Sequence, residues 1–402
     1  MKKMRIPFGT LMLTEYSKNL IQEILNSNRL SCGKYVRKLE KGFASLLGVK
    51  EAVAVSSGGD AVALSLAVLY EYGAKRGDEI ILPALSFIAT GNSVLQAGFI
   101  PVFVDIERDT LNINPENIEA VITPRTRALL PVHLMGKPCN MDRIIEIARK
   151  HNLFVIEDAA EAHGALYKGR PVGAIGDMGA FSLYVAHIVS TVEGGIITTD
   201  NEEYASILRS LRNHGRACTC VTCTLNTSDN LCSKRFRNES DDDIRFRFDR
   251  LGFSSKMNEL EAAIGLGNLE IIGEILEKRR KNLYFLLNEF NKFSPYLFTI
   301  KKEPWEELGP HALPIIISEE AGFSRKSLIK YLYDNGIDSR SLFLSMPTQC
   351  PGFSFLGYKL GDFPEAEYVG KNGIHIGVHQ DLEEEDCVYI LETIDKFLKM
   401  AK

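Results

Sequence analysis

Two groups of side chains could do chemistry, and the first is centred on His187. It stands in the stretch GAFSLYVAHIVSTVEGG, residues 179–195, where a short apolar strand, a polar turn and Glu-Gly-Gly lead into a second apolar strand. A strand, a tight turn and a strand can hold a side chain at the floor of a pocket. An imidazole there can move a proton near neutral pH, but it does not form the stable Schiff base that a lysine amine forms. The pattern predicts acid–base chemistry, with a packed histidine as the alternative.

The second group is formed by four of the eight cysteines, which lie in one short segment. Their spacing is Cys218-x-Cys220-x2-Cys223-x8-Cys232. Thiolates this close repel one another, so a cation or an iron–sulfur core usually neutralises them. Four cysteines suit tetrahedral zinc or a [2Fe–2S] cluster, although the Cys-x-Cys pair is less typical of structural zinc. Incidental free cysteines are the remaining alternative.

The composition is that of a globular protein with room for a large core and a smaller domain: 402 residues, 45% hydrophobic and 25% charged. A net charge of -5 at pH 7 offers no basic footprint for nucleic acid. The start MKKMRIPFG lacks the apolar core of a signal peptide, and no run approaches the roughly 18 apolar residues of a membrane span. We therefore expect a cytoplasmic protein with neither a nucleic acid nor a membrane partner.

The elements that must position His187 begin with a helical region over residues 15–48, interrupted by a turn at 31–33. The apolar strand EAVAVSS follows and leads through a turn of small residues into the helix AVALSLAVLYEYG. The first amides of a helix lack partners and attract anions. Gly58 and Gly59 in this turn are therefore candidates for a phosphate site, although such a turn can also be a backbone requirement alone.

Residues 79–164 repeat a strand–helix–strand pattern twice, through EIILPALSF, TGNSVLQAG and PVFVDI and then ALLPVHL, MDRIIEIARKH and LFVIEDAAEAHG. This alternation predicts a doubly wound, mostly parallel sheet. Asp158 falls just past the carboxyl end of a buried strand. It is a candidate site carboxylate, and its alternative is an ordinary aspartate that caps a helix.

These blocks resemble the GDEVIVPSFTF, PVFVDV, VHLYG and VIEDAAQAHG segments of the DegT/DnrJ/EryC1/StrS sugar aminotransferases, which are fold-type I pyridoxal-phosphate enzymes. The resemblance implies that α/β fold, a doubly wound central sheet with a smaller C-terminal α+β domain. It also implies a pyridoxal or pyridoxamine phosphate site in which Asp158 keeps the ring nitrogen protonated. The other cofactor contacts that it implies are stacking by Phe87 and phosphate binding by Gly58, Gly59 and Ser182.

Several further positions are interpreted through the same resemblance. Glu161 replaces the glutamine of the aminotransferases by an acidic residue, as in the dehydratases of the family. Ser254 stands for the asparagine that reaches the cofactor phosphate of a second subunit, and its shorter side chain would make a weaker or water-bridged contact. Arg340 and Phe343 match the substrate loop. Val192 replaces a glycine and is expected to reshape the pocket.

His187 occupies the position of the lysine that binds the cofactor covalently in this family. The same replacement marks the nucleotide-linked 4-keto-6-deoxysugar 3-dehydratases, which hold pyridoxamine phosphate without a covalent bond. The cysteine segment, with Gly-Arg before it and Cys-x-Lys-Arg-Phe at its end, resembles the CDP-4-keto-6-deoxyglucose 3-dehydratases, which add a [2Fe–2S] cluster. Ala160 stands where many of these carry a further cysteine, so the ligand set is left open.

The hypothesis is therefore a pyridoxamine-phosphate- and [2Fe–2S]-dependent 3-dehydratase of a nucleotide-linked 4-keto-6-deoxyhexose, with His187 as the base. The resemblance implies a homodimer and a separate flavin/iron–sulfur reductase. One alternative is a cluster-free dehydratase with structural zinc that regenerates its amine from glutamate, and another is an inactive homologue that binds a sugar nucleotide. An intact aminotransferase would need Lys137, Lys168 or Lys256 at the cofactor.

The pattern also predicts how the chain is divided. A large cofactor-binding domain is expected over residues 1–267, with a Cys-rich insertion at 216–248, and a small domain over 268–402. The charged run at 237–250 is predicted to be a solvated loop.

Overall fold

The computed structural model describes residues 4–228, 231–236 and 243–401. Residues 237–242 of the predicted charged loop lie outside these ranges. The helices are α1 Glu15–Ser27, α2 Lys34–Leu47, α3 Gly58–Val68, α4 Ile88–Gln96, α5 Met141–His151, α6 Glu202–Leu211, α7 Thr224–Thr227, α8 Glu259–Glu270, α9 Ile272–Phe290, α10 Arg325–Asp334, α11 Met346–Gln349, α12 Pro364–Asn372 and α13 Glu384–Ala401.

The strands are β1 Glu51–Val55, β2 Glu79–Pro83, β3 Ile100–Val104, β4 Thr126–Leu129, β5 Phe154–Asp158, β6 Leu166–Tyr167, β7 Arg170–Pro171, β8 Met178–Ser182, β9 Gly195–Thr199, β10 Leu297–Phe298, β11 Glu306–Glu307, β12 Ala312–Ile317, β13 Ser339–Ser341 and β14 Gly373–Gly377. Short 3-10 turns lie at Leu69–Tyr72, Pro115–Asn117, Glu119–Val121, Leu134–Gly136, Ile244–Phe246, Asn291–Phe293, Glu319–Ala321 and Pro351–Leu356.

The central sheet has the order β1-β9-β8-β5-β4-β2-β3. Strands β3, β2, β4, β5 and β8 pair in parallel, whereas β9 runs antiparallel to both of its neighbours. Helices cover both faces, so these strands are apolar on both sides. In β2, for example, Ile80 and Leu82 join one apolar cluster and Ile81 joins the other. The predicted doubly wound, mostly parallel sheet is confirmed.

This topology brings the candidate residues to one edge of the sheet. The carboxyl ends of parallel strands meet at the same edge, which is where open α/β sheets bind ligands. Phe87 follows β2, Asp158 ends β5, and Ser182 ends β8. Residues far apart in sequence are therefore neighbours at this edge.

A second, antiparallel sheet with the order β10-β12-β14-β13 forms in the C-terminal part of the chain. The N-terminal segment joins it, because Ile6 pairs with Ile337 and Phe8 packs against Gly377. The division into domains at 267/268 stays a prediction. None of the helices in the described ranges combines the length and the apolar character needed to cross a bilayer.

Candidate active site

The N-terminus of α3 forms one corner of the site. Ser57 caps the helix, and its hydroxyl accepts a hydrogen bond from the Asp60 amide at 3.0 Å. A Cβ atom on Gly58 would lie 2.6 Å from the Cβ of Ser182, so only glycine fits there. Gly58 and Ser182 are therefore in direct contact, with Gly59 next along the helix. Free helix amides beside a hydroxyl suit a phosphate group.

Asp158 lies at the carboxyl end of β5 and is 5% exposed. One carboxyl oxygen accepts a hydrogen bond from the Thr90 hydroxyl at 2.8 Å, and the other accepts one from the Ala160 amide at 3.2 Å. Burial raises the pKa of Asp158, and these two hydrogen bonds oppose the rise. The chain after Asp158 makes a turn and not a helix, so the helix-cap alternative does not describe this residue.

A buried pair beneath Asp158 fixes the end of β5. Glu157 accepts amide hydrogen bonds from Gly173, Ile175 and Gly176 at 2.7–2.9 Å, and its carboxylate lies 3.0 Å from Nε2 of His133. Nδ1 of His133 accepts from the Cys139 amide, so Nε2 carries the proton and donates to Glu157. Although burial opposes it, the bond from His133 and the amide bonds hold the pKa of Glu157 below its usual value.

Glu161 bridges two loops that are distant in sequence. Its Oε2 accepts from the Met135 amide at 2.8 Å, and its Oε1 lies 3.6 Å from Nε2 of His311. Met135 has a left-handed backbone, with φ of 53°, and such strain persists only where the surroundings impose it. Burial raises the pKa of Glu161 to about 8 despite the Met135 bond, and the charge of Asp158 adds to the rise.

His187 lies on the loop between β8 and β9, where its amide donates to the Tyr184 carbonyl at 2.9 Å. Its Nδ1 is buried without a hydrogen-bond partner among the described residues, and its ring centroid is 5.4 Å from that of His311. Burial lowers the pKa of His187 to about 4, and the positive charges of Arg279 and Arg340 add to the fall. The imidazole is therefore neutral at pH 7 and can accept a proton.

The three lysines that could have replaced a cofactor-bound lysine have other partners. Lys137 forms a buried ion pair with Glu306 and donates to the Lys301 carbonyl at 2.9 Å. Lys168 pairs with Asp142, and Lys256 donates to Asn213 at 3.2 Å. Because these lysines are held by other partners, His187 is the basic side chain at the position of the family's cofactor-binding lysine.

Val192, which follows His187 on the same loop, has a φ of 77°. A β-branched residue at positive φ is strained, because its side chain crowds the backbone. The loop holds it there: Val185 donates to the Val192 carbonyl at 3.1 Å, and Thr191 donates to the Glu193 carbonyl at 2.5 Å. Val192 is 41% exposed, and its expected effect on the shape of the pocket stays a prediction.

Aromatic residues and an arginine form the outer wall. Phe87 is 56% exposed, which leaves its ring available for stacking, and its centroid is 5.5 Å from that of Phe343. Phe343 also meets His375 at 5.9 Å. Arg340 stacks over Phe8 at 3.8 Å. The structure thus brings Arg340 and Phe343 to the side of the site that holds Phe87 and His187.

Ser254 lies apart from this group in the described contacts. It is exposed and bridges to Asn213 across the two segments that flank the Cys-rich insertion. Within the single chain, Ser254 therefore contacts none of the residues expected to bind the cofactor. Its predicted contact is with the cofactor of a second subunit.

The structure brings only some of the four cysteines of this segment close together. The sulfurs of Cys218 and Cys220 are 3.5 Å apart, and both residues line a cavity of about 220 Å³ together with Cys223. Burial and then Cys218 raise the pKa of Cys220, while Lys234 opposes the rise. Among the described residues, no three His, Cys, Asp or Glu side chains are grouped closely enough to hold a metal ion. Cys232 is half-buried, and both it and Cys223 are close to Arg245.

Sequence reasoning missed the residues that support the site from other elements. Thr90, Met135, Arg279 and His311 are 26 to 150 positions away from the side chains that they support, so no local pattern marks them. A weak signal existed for His311 alone, as a polar residue directly before the apolar strand β12.

Changing Glu161 to glutamine is expected to reduce the pH dependence of the stability of the cofactor-free chain. The pKa is raised to about 8 in the folded state and is about 4.3 in an unfolded chain. Such a carboxyl stabilises the fold below its unfolded pKa, and this contribution is lost as the pH rises through the folded pKa. The free energy of unfolding of the wild type should therefore fall relative to E161Q by about 3–5 kcal/mol between about pH 4 and 8.

Urea denaturation of both proteins across this pH range measures the difference. Glu277 on α9 is exposed, so E277Q is a matched control that should follow the wild type. If the free energies of unfolding of the wild type and E161Q changed with pH in parallel, the prediction would be contradicted.

Comparison with known proteins agrees with this geometry. The profile of the DegT/DnrJ/EryC1/StrS aminotransferase family matches residues 12–395. The chain is 33% identical over 403 residues to dTDP-4-dehydro-2,6-dideoxy-D-glucose 3-dehydratase of Saccharopolyspora spinosa, covering 98% of this chain and 86% of the relative. It is 33% identical over 398 residues to GDP-perosamine synthase of Caulobacter vibrioides, covering 98% of each.

A solved structure of Escherichia coli GDP-4-keto-6-deoxy-D-mannose-3-dehydratase with bound hydrated PLP superposes with a TM-score of 0.84. The identity is 31%, and the match covers 98% of this chain and 100% of that one. The predicted fold, that of the fold-type I pyridoxal-phosphate enzymes, is thereby confirmed. The chain belongs to the DegT/DnrJ/EryC1/StrS aminotransferase family.

Proposed function

We propose that this chain is a pyridoxamine-phosphate-dependent 3-dehydratase that acts on a nucleotide-linked 4-keto-6-deoxyhexose. The observation that carries the proposal is the neutral imidazole of His187, which stands at the position of the family's cofactor-binding lysine. A base that cannot bond to the cofactor leaves the cofactor amine free for a ketone. Two of the relatives described above, including one of the same fold with bound PLP, are sugar 3-dehydratases.

The residues at the edge of the sheet fit this cofactor. Gly58, Gly59 and Ser182 would hold its phosphate, because Gly58 brings free helix amides against the Ser182 side chain. Asp158 would pair with the ring nitrogen, and Phe87 has an exposed ring face for stacking. When bound, the cofactor supplies an amine for the substrate ketone and a ring that withdraws electrons.

Each remaining side chain has a task that its surroundings permit. His187 takes the proton at the C4′ atom and can return it to the departing C3 hydroxyl, since its lowered pKa makes it a base that releases protons readily. Glu161, with its pKa near 8, carries a proton at pH 7 and can donate a hydrogen bond. Arg340 and Phe343 would contact the sugar nucleotide from the small sheet.

Incubation with pyridoxamine phosphate and a nucleotide-linked 4-keto-6-deoxyhexose tests the activity. Separate reactions contain glutamate or a flavin/iron–sulfur reductase with its electron donor, because loss of the C3 oxygen reduces the sugar by two electrons. Mass spectrometry should show a sugar that has lost its C3 oxygen. A sugar that keeps the C3 hydroxyl and gains the amine would indicate an aminotransferase and would contradict the proposal. No change at all would favour an inactive homologue.

The same proposal includes a [2Fe–2S] cluster held by Cys218, Cys220, Cys223 and Cys232, with structural zinc as the alternative. The adjacent sulfurs of Cys218 and Cys220 support it, although the four thiols do not surround one point in the structure. Positively charged side chains also lie in the segment: Lys234 is beside Cys220, and Arg245 is close to Cys223 and Cys232. A cluster at this place would supply single electrons, received from a flavin/iron–sulfur reductase.

Anaerobic purification followed by iron, sulfide and zinc analysis is expected to give about two irons and two sulfides per chain. The Cys218→Ser variant should lose both, whereas Cys350→Ser, a half-buried cysteine outside the segment, should keep them. Zinc without sulfide would instead favour the cluster-free enzyme, for which added glutamate should sustain turnover and form 2-oxoglutarate. A protein that contains neither iron nor zinc would contradict both assignments.

We also propose a homodimer and a cytoplasmic location. Large apolar side chains in and next to the Cys-rich insertion are at least half exposed in the single chain, namely Leu231, Phe236, Phe246, Phe248 and Leu251. A second copy would cover such a surface. It would also give the exposed Ser254 a cofactor to contact. Light scattering should report twice the mass of the chain.

A further inference from the structure

A line of three buried polar side chains runs behind the candidate ring site. The hydroxyl of Ser86 lies 2.8 Å from that of Thr90, and the Thr90 hydroxyl donates to Asp158 at 2.8 Å. Ser86 and Thr90 are each 3% exposed and Asp158 is 5% exposed. Water therefore cannot replace either hydroxyl without a change in the packing.

The carboxylate determines which group donates in each of these two hydrogen bonds. An ionised carboxylate only accepts hydrogen bonds, so Thr90 must donate to Asp158. The Thr90 oxygen is then free to accept, and Ser86 donates to it. Both hydroxyl dipoles point toward the carboxylate, which favours its charged form in a place where burial favours the neutral one.

The same helix turn links this line to the rest of the site. Phe87 lies between Ser86 and Thr90 in sequence, and its carbonyl accepts from the Thr90 amide at 3.1 Å. Further along α4, the Ser93 hydroxyl donates to the Gly59 carbonyl at 2.9 Å. One short helix thus contacts the stacking ring, the carboxylate and the phosphate corner.

We propose that Thr90, backed by Ser86, is a positioning residue that keeps Asp158 ionised and aimed at the ring nitrogen of the cofactor. This inference rests on the proposed function, because it requires a pyridine-type cofactor at Asp158. Thr90 does not touch the cofactor and acts only through the carboxylate. The effect of Thr90 on cofactor binding must therefore depend on whether the ligand has a ring nitrogen.

Calorimetric titration of the cofactor-free protein with two ligands tests this dependence. The ligands are pyridoxamine phosphate and its deaza analogue, in which a carbon replaces the ring nitrogen. Thr90→Val, which keeps the shape and removes the hydroxyl, should weaken binding of pyridoxamine phosphate about 10- to 100-fold, the range for a hydrogen bond to a charged group. Binding of the deaza analogue should change less than about twofold, because Asp158 has no partner in it.

Thr90→Ser restores the hydroxyl and should bind both ligands like the wild type. Ser86→Ala should show the same selectivity as Thr90→Val with a smaller loss, and it tests the inference even where Thr90→Val does not fold. Equal losses for both ligands would assign Thr90 a packing role and overturn the inference, as would no loss for either. A wild-type protein that binds neither ligand would overturn the proposed function and this inference with it.

Discussion

Replacing His187 by asparagine is expected to lower the dehydration rate by about 10²–10⁴-fold, the usual contribution of a general base. Asparagine keeps a polar planar group but cannot take up a proton. His187 is neutral at neutral pH and has no carboxylate partner among the described residues. In its proposed role as proton acceptor it therefore has no substitute in the variant. Single-turnover assays with bound pyridoxamine phosphate measure the rate of C3 oxygen loss.

The affinity for pyridoxamine phosphate should change little, which separates lost chemistry from a damaged site. His151→Asn on the surface helix α5 is the matched control and should keep full activity. His187→Lys gives a second test, because a lysine can bond to the cofactor aldehyde. A lysine variant that binds the cofactor covalently and still dehydrates the sugar at the wild-type rate would contradict the assigned role.

Changing Asp158 to asparagine is expected to reduce the rate on the order of 10²–10³-fold, as for loss of a preorganised electrostatic group. Asparagine can accept the Thr90 hydrogen bond but carries no charge to hold a proton on the ring nitrogen. The ring would then withdraw electrons less strongly, and cofactor binding would weaken as well. Rates at saturating cofactor, together with the cofactor affinity, distinguish the two effects.

Asp177 offers the matched control for this change. It lies at the amino ends of β5 and β8, where it accepts from the Val155 amide at 2.8 Å, far from the carboxyl edge. Asp177→Asn should affect stability more than rate. An Asp158→Asn enzyme with normal rate and affinity would show that the carboxylate does not serve the ring nitrogen.

Taken alone, the sequence determined the elements and the side chains that carry the chemistry. Continuous apolar strands alternating with amphipathic helices specified the doubly wound sheet, since strands buried on both faces leave this pattern. The candidate residues follow strand ends or helix starts, and these positions are visible in a linear sequence. His187 was identified by its residue type at one position, and the cysteine segment by its spacing.

Only the tertiary structure decided how those side chains are supported and how they titrate. The partners of Glu161 are Met135, in a strained turn, and His311, which lie 26 and 150 positions away in the sequence. The Thr90 bond to Asp158 spans 68 positions. Burial lowers the pKa of His187, and the charges of Arg279 and Arg340, which are distant in sequence, add to the fall. Burial is also the main cause of the raised pKa of Glu161. The physical reason is that periodicity encodes local geometry, whereas desolvation and charge depend on the packed surroundings.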